Sequence, residues 1–461
     1  MALSATLNSE LDGWMMSQGC KKEDLKVSLQ PFDSAPGGVI GVAIQDLKEK
    51  DIIYSIPMGL CLDATKAKTK LSSIIESSQL RTGSLGMLAL LILSERLEGL
   101  ESNYSPYIQS LPTTMKDVPG ILGWGKDDLE KLVASTTRRM KDQIQACEAD
   151  AAALQARQSM LEKVLPAQRI VEEGFESLES AFRWALGVVK SRYVIVDNKP
   201  ILLPGMDSLT YDPFALHEPF AAGAGIFGGM VVKVFADRDY SAGTAGVCMS
   251  FGLKSSAESL EDHGIVPDVP LDEACCEMTI AIDGSEKFVD DKLNILEDNG
   301  VPSAGQFDLE GGEDTPIDPE LIRFLRIKLI TGTDAFILEP VFMNTVFETL
   351  DSPFSKANEL AVYETLRARC EAAIAQLEAA EREPSTNAER ETMLARLRAQ
   401  ELAALKDTVK KANTEIAVIK GPVDPREYYQ ERRLRELDLL RPLEDDEIFM
   451  DGDRPPLTDD Y

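Results

Sequence analysis

A carboxylate set among apolar residues needs a partner or a task. The stretch ILLPGMDSLTYDP, residues 201–213, runs from a β-rich segment into a Pro/Gly-rich turn that carries Asp207 between Met206 and Ser208-Leu209. Few other residues compete with it for chemistry. His217 and His263 are the two histidines, and neither sits at triad spacing, so each reads first as a surface or satisfied buried residue and only second as an acid–base group. Cys275 and Cys276 are adjacent rather than spaced for chelation, so no metal site is expected. Gly223–Gly228 (GAGIFG) matches the G-x-G-x-x-G pattern, but MVVKVFADRD follows it. That segment reads as a strand where a dinucleotide site requires a helix N-terminus, so the motif reads as a loop.

The elements that must position such residues alternate in character. Leu7, Leu11, Trp14 and Met15 are spaced as one face of a helix over residues 1–20. Val39 to Ala43 and Asp51 to Ile56 are β-rich runs separated by a polar turn, which predicts an antiparallel pair. From about 71 to 190 the spacing becomes helical, ending in a helix over Ser177 to Val189 with Phe182, Ala185, Leu186 and Val189 on one face. Strand-forming sequence then resumes at Arg192–Val196, Ile201–Leu203, Gly229–Phe235 and Gly246–Phe251. One β-domain interrupted by a helical insertion accounts for this order.

Residues 269–316, rich in Asp, Glu and Gly, read as an acidic connector. Helices follow at Asp318-Pro319-Glu320, at Ser355, after a Thr386/Glu389 capping box and at Asp424-Pro425-Arg426-Glu427. The tail from Glu444 holds eight acids and one Arg, a composition typical of a disordered end.

A chain of 461 residues with 44% hydrophobic side chains supports several cores. Its 48 basic and 78 acidic residues give a net charge of −30, which argues against direct nucleic-acid binding and suits either simple solubility or a basic protein partner. Seven scattered cysteines fit reduced thiols. The longest apolar run, LGMLALLIL (85–93), is too short for a membrane span and reads as a buried helix. MALSATLNSELDGW shows neither a secretory nor a transit pattern, so a soluble intracellular protein is expected.

The order of segments resembles the SET-domain methyltransferases of the Rubisco large-subunit lysine methyltransferase type, whose relatives include the actin-histidine methyltransferase. The likeness is carried by LDGWMMSQG, GGVIGVAIQDLKEKDIIYSIPMGLCLD, LALLILSERLEGLESNYSPYIQSLP, LGWGKDDLEKL, FRWALGVVKSRYV, LLPGMDSLTYDP and VCMSFGLKSSAESLEDHGIVPD, in that order. It implies an α+β chain: a SET domain in two parts (1–70 and 191–268) around a helical insertion (71–190), then the acidic connector (269–316). An all-α substrate-binding-like domain (317–420) and a charged helix with an acidic tail (421–461) complete it.

In that family the fold sets S-adenosylmethionine and the target side chain at opposite ends of a narrow channel. The resemblance therefore implies a cofactor side at Gly38, Ser191, Arg192, Asp207, Thr210 and Tyr211, with Phe251 at the channel. Thr210 and Tyr211 stand where the family has Asn and His, Phe251 where it has Tyr, Ser256 where it has Asn, and His263 where it has the Tyr before the closing Gly. Ile40 takes a motif glycine's place unless Gly37, Gly38 and Gly41 are used together.

Two functions follow as alternatives: S-adenosylmethionine-dependent methyl transfer to a protein Lys (or His), or a SET-fold pseudoenzyme serving as a protein-binding scaffold or assembly component. Either takes a protein docked on the C-terminal helices. A plastid stroma fits the family, with cytosol and nucleus left open, as is the oligomeric state.

Overall fold

The two blocks of strand-forming sequence flanking the helical stretch fold into shared sheets. The computed structural model describes residues 2–31, 39–71, 79–223, 229–338, 343–379 and 387–436. Its strands are β1 Val27–Pro31, β2 Val39–Ala43, β3 Ile52–Pro57, β4 Leu62–Asp63, β5 Val194–Val196, β6 Lys199–Leu202, β7 Thr210–Tyr211, β8 Phe220–Gly223, β9 Met230–Phe235, β10 Cys248–Met249, β11 Cys275–Ala281 and β12 Ala304–Glu310. One three-stranded sheet runs β3-β9-β8 and another β4-β6-β5, so each joins a strand from before residue 71 to strands from after 190.

The expected antiparallel pair of β2 with β3 does not form. β2 pairs with β1, a strand missed in the sequence, with Val27 opposite Ala43. The intervening turn is claimed by another segment: Leu47 and Tyr240 exchange main-chain hydrogen bonds at 2.8 and 2.9 Å, and the Lys50 amide donates to Ala236 O at 2.9 Å. With its backbone used there, the turn leaves β3 free to pair with β9.

The chain divides into two compact units, Met1–Pro270 with Ala379–Glu401, and Leu271–Glu378 with Leu402–Tyr461. In the first, the helix Gly83–Glu98 is buried all along Gly86–Glu95 and packs on the helix Leu178–Lys190. The Ser177 side chain caps the latter, and Trp184 within it donates Nε1–H to Pro112 O at 3.0 Å. Each large apolar side chain so buried contributes roughly 1.5–3 kcal/mol.

The second unit opens on the antiparallel pair β11–β12, with Cys275 opposite Glu310 and Ala281 opposite Ala304. The supposed connector is therefore folded, as an antiparallel strand pair with the helix Val289–Asp298 between its strands, and the described elements from Pro319 to Lys420 are helical as expected. Cys276, Met278, Ile280, Phe307 and Leu309 face the core and Glu277, Asp308 and Glu310 alternate with them, while Asp290, Asp291, Glu297 and Asp298 belong to the helix Val289–Asp298 between the strands. The helices Pro319–Lys328 and Lys356–Ala379 are tied by a buried ion pair in which Arg326 Nε and Nη2 reach the Glu359 carboxylate at 2.8 and 2.7 Å.

The helix Ala388–Lys420 is capped by Asn387, whose Oδ1 accepts from the Glu389 and Arg390 amides; Thr386, the expected cap, lies outside the described residues. The last helix begins at Tyr429 rather than beside Asp424, whose carboxylate accepts from the Arg426 amide and the Tyr428 hydroxyl; the acidic tail lies outside the described residues.

Within the first unit Leu394 and Leu397 pack with Trp124, Leu129 and Leu132, and Gln400 donates to Pro267 O at 2.9 Å. Glu401 is buried beside them and accepts from the Thr137 hydroxyl at 2.9 Å. Burial outweighs the Thr137 hydrogen bonds and the nearby Arg398 and Lys141 charges, and pushes its carboxyl up to about 7. A raised folded-state value gives a contribution fully present below the ordinary 4.5 and lost as pH rises through about 7. Glu401→Gln keeps the neutral form at every pH. The native-minus-variant unfolding free energy, from urea titrations between pH 4.5 and 8, falls with rising pH by on the order of 3 kcal/mol.

Candidate functional site

The 203–211 segment is held by four neighbours. β6 delivers the chain to Gly205, whose φ of +85° is a conformation that side chains resist. A Cβ there would lie 2.8 Å from Met15 Sδ on the helix Ala2–Ser17, so the turn rests directly on that helix. The Met206 and Asp207 amides both donate to Leu203 O at 3.0 Å, and Leu209 N to Met206 O at 3.0 Å. Beyond the turn β7 pairs in parallel with β10, and the Thr210 amide donates to Val247 O at 3.2 Å. β2 completes the enclosure at Gly41, where a Cβ would stand 2.5 Å from Leu209 Cδ2.

Asp207 is 2% exposed. The Tyr107 hydroxyl donates to its Oδ2, and Arg192 Nη1 donates to its main-chain oxygen at 2.8 Å, with the guanidinium 3.9 Å from Oδ1. Burial first, then the Asp207 charge, pushes the Tyr107 phenol well above its ordinary value, so it remains a proton donor. Ser191, next to Arg192, turns its hydroxyl back to Val188 O at 3.0 Å and closes the helix Leu178–Lys190. Tyr107 was missed by sequence reasoning. Its sole signal was a tyrosine in the SNYSPYIQSLP segment, and nothing in that spacing points across 100 residues to Asp207.

Three rings meet beyond the turn. Tyr211 stacks on His263 with centroids 3.6 Å apart and planes 3° from parallel, and Phe251 stands edge-on to both, at 5.9 Å from Tyr211 and 5.1 Å from His263. The Tyr211 hydroxyl shares a 2.7 Å hydrogen bond with Ser259 Oγ. Burial pushes its phenol up, although that bond pulls the other way. Ring faces of this kind attract a cationic sulfonium or ammonium through their quadrupoles.

His263 ends the helix Ser256–His263, which opens on a Ser255/Glu258 capping box and closes at Gly264. Burial lowers the imidazole to about 3 against the opposing pull of Asp262, so the ring is neutral, and its Nε2 has no hydrogen-bond partner among the described residues. Burial alone would raise the neighbouring Asp262, but Lys190 and Lys254, the latter at 2.7 Å, hold its carboxyl below the ordinary value.

Of the residues expected to line a cofactor, Arg192 and Asp207 are bonded to each other, Thr210 and Tyr211 form the adjoining strand, and Phe251 touches Tyr211. Ser191 sits beside Arg192 with its hydroxyl already engaged. Gly38 lies outside the described residues. His217 pairs with Glu49 at 2.7 Å instead. Of the G-x-G-x-x-G stretch only Gly223 is described, at the end of β8, and β9 rather than a helix follows. All seven cysteines are free thiols. Asp212, Asp237 and Cys248 gather their ligand atoms within 4.8 Å, but the Arg238 guanidinium pairs with both carboxylates and supplies the cation there.

Comparison with known proteins agrees with this architecture. The family described as Rubisco LSMT substrate-binding matches residues 283–405. An Arabidopsis thaliana relative, the chloroplastic [fructose-bisphosphate aldolase]-lysine N-methyltransferase, is 27% identical over 88% of this chain and 82% of its own length. The chloroplastic Rubisco large-subunit N-methyltransferase of Nicotiana tabacum is 27% identical over 77% of this chain and 71% of its own. Among solved structures, the SET domain of LSMT bound to lysine and AdoHcy superposes with a TM-score of 0.71 at 22% identity, covering 95% of this chain and 96% of that one. Rubisco LSMT bound to AdoMet gives 0.68, also at 22%, covering 95% and 97%. The chain has the fold of the SET-domain structure of LSMT, and its residues 283–405 match the Rubisco LSMT substrate-binding family.

His263 yields a test of the site's electrostatics. A folded-state value near 3 gives stability that is present above the ordinary 6.5 and lost as pH falls toward 3. His263→Phe keeps a ring on Tyr211 and removes the titration. Between pH 7 and 4.5 the native protein loses on the order of 3 kcal/mol more than the variant, read from urea midpoints.

Proposed function

We propose that this protein is an S-adenosylmethionine-dependent methyltransferase acting on a lysine side chain of a protein, with histidine as the lesser alternative target. The cofactor side comprises Gly38, Ser191, Arg192, Asp207, Thr210 and Tyr211, and the target amine enters past Phe251. One observation carries the reading: the acid-bearing turn is wedged among β2, β10 and the N-terminal helix and delivers Tyr211 to the ring cluster.

The residues suit such a ligand. Arg192 offers the guanidinium that a carboxylate takes, and Tyr211, Phe251 and His263 offer ring faces to a sulfonium. When bound, the cofactor supplies an electrophilic methyl group. The chain's part is to exclude water and hold the amine in line, and alignment of two bound groups is worth up to roughly 7–11 kcal/mol of the barrier. The neutral imidazole of His263 adds no positive charge that would repel a cationic ligand. The protein substrate is held by the helices of the second unit, and the chloroplastic relatives favour a plastid stroma as its compartment.

A second reading is favoured by one specific feature. Phe251 has no hydroxyl, and its ring closes edge-on over the Tyr211–His263 stack. On that reading the SET fold is a protein-binding platform without turnover. Two measurements separate them: calorimetric titration with S-adenosylmethionine, and methyl transfer from labelled cofactor to stromal protein. Methyl transfer predicts binding and labelling, and Phe251→Tyr, which restores an oriented donor, raises kcat about ten- to hundredfold. Absence of binding and of labelling in both proteins leaves the platform.

A further inference from the structure

We propose that Tyr107, on the short helix Ser105–Gln109 within the 71–190 stretch, is a positioning residue for the 205–211 turn, fixing through Asp207 the main chain that presents Thr210 and Tyr211. Its importance for the reaction rests on the reading of that turn as the cofactor cleft.

Asp207 is gripped at three atoms. Its amide donates to Leu203 O, its carbonyl accepts from Arg192, and its carboxylate accepts from Tyr107. The first two grips come from within residues 192–207. Tyr107 brings in a separate element, 100 residues earlier in the chain. Tyr107, Asp207 and Arg192 are all buried, so the phenol-to-carboxylate bond is charge-assisted and shielded from water. Loss of the hydroxyl leaves a desolvated anion short of a donor, a cost that falls on the turn rather than on side-chain packing.

Tyr107 is itself fixed. The Ile108 amide donates to Tyr104 O at 2.9 Å, and Ser110 Oγ to Tyr107 O at 2.6 Å. Trp14 on the N-terminal helix donates to Asn103 O at 3.0 Å, while Met15 on the same helix lies under Gly205. The N-terminal helix thus meets the turn by two routes, one through Met15 and one through Asn103 and Tyr107.

Tyr107→Phe in the full chain separates positioning from mere stabilisation, with Tyr428→Phe as the control. Tyr428 is also buried and also donates its hydroxyl to an aspartate, Asp424, but in the second unit. Hydrogen exchange over 205–211 and calorimetric titration with S-adenosylhomocysteine are the readouts. Tyr107→Phe is expected to speed exchange of those amides at least tenfold and to raise Kd at least fivefold, while Tyr428→Phe matches the native protein in both. Unchanged exchange over 205–211 overturns the proposal. Faster exchange with native Kd also overturns it, reducing Tyr107 to a structural tie.

A native protein that binds no S-adenosylhomocysteine, with the exchange effect intact, overturns the cofactor reading and upholds the hold of Tyr107 on the turn. Should Tyr107→Phe not fold, Asp207→Asn keeps an acceptor for the phenol while shedding the charge, and must loosen the same amides. Loosening elsewhere in its place overturns the proposal.

Discussion

A carboxylate sealed from water must be answered, and the groups that hold Asp207, Tyr107 on its carboxylate and Arg192 on its main-chain oxygen with the guanidinium 3.9 Å from Oδ1, come from two distant parts of the chain. Arg192 follows the helix Leu178–Lys190, and Tyr107 belongs to the helical stretch that interrupts the SET strands. An unanswered buried anion costs several kcal/mol, so once Asp207 is placed, its partners cannot drift without the turn moving too. β6 before the turn and β7 after it inherit that placement.

Beyond the turn a different balance operates. Tyr211, Phe251 and His263 form an apolar wall, yet next to His263 lie the buried Asp262 and Glu261, paired with the partly buried Lys190 and Lys254. Those pairs neutralise one another next to the rings, and burial keeps the His263 imidazole neutral. A site that handles a cationic donor and an uncharged amine is served by such an arrangement, because neither ligand meets a bare positive charge.

Much of this was legible in the sequence. Helical spacing gave the Gly83–Glu98 and Leu178–Lys190 helices, and the resumption of β-rich runs after residue 190 required a domain folded back on itself, as the β3-β9-β8 sheet shows. Asp207, Arg192 and Tyr211 came from the family likeness and do fall around one turn. What stayed hidden was non-local. The partner of β2 is β1, chosen because residues 236–240 take the turn after β2. Tyr107 is invisible because the bond it makes spans 100 residues. The region misread as an acidic connector shows the other blind spot: alternation along β11 and β12 puts acids on one face and Met278, Ile280 and Phe307 on the other, whereas composition sums the two.

The account's central claim is that Arg192, Asp207, Thr210 and Tyr211 line one ligand cleft of the SET fold. A crystal structure of the chain grown with S-adenosylhomocysteine tests this most directly. The account predicts the ligand bound against Arg192 and the 207–211 main chain, beside the Tyr211 ring. A ligand seated elsewhere, or none at a saturating concentration with the Tyr211, Phe251 and His263 rings packed as described, would contradict it.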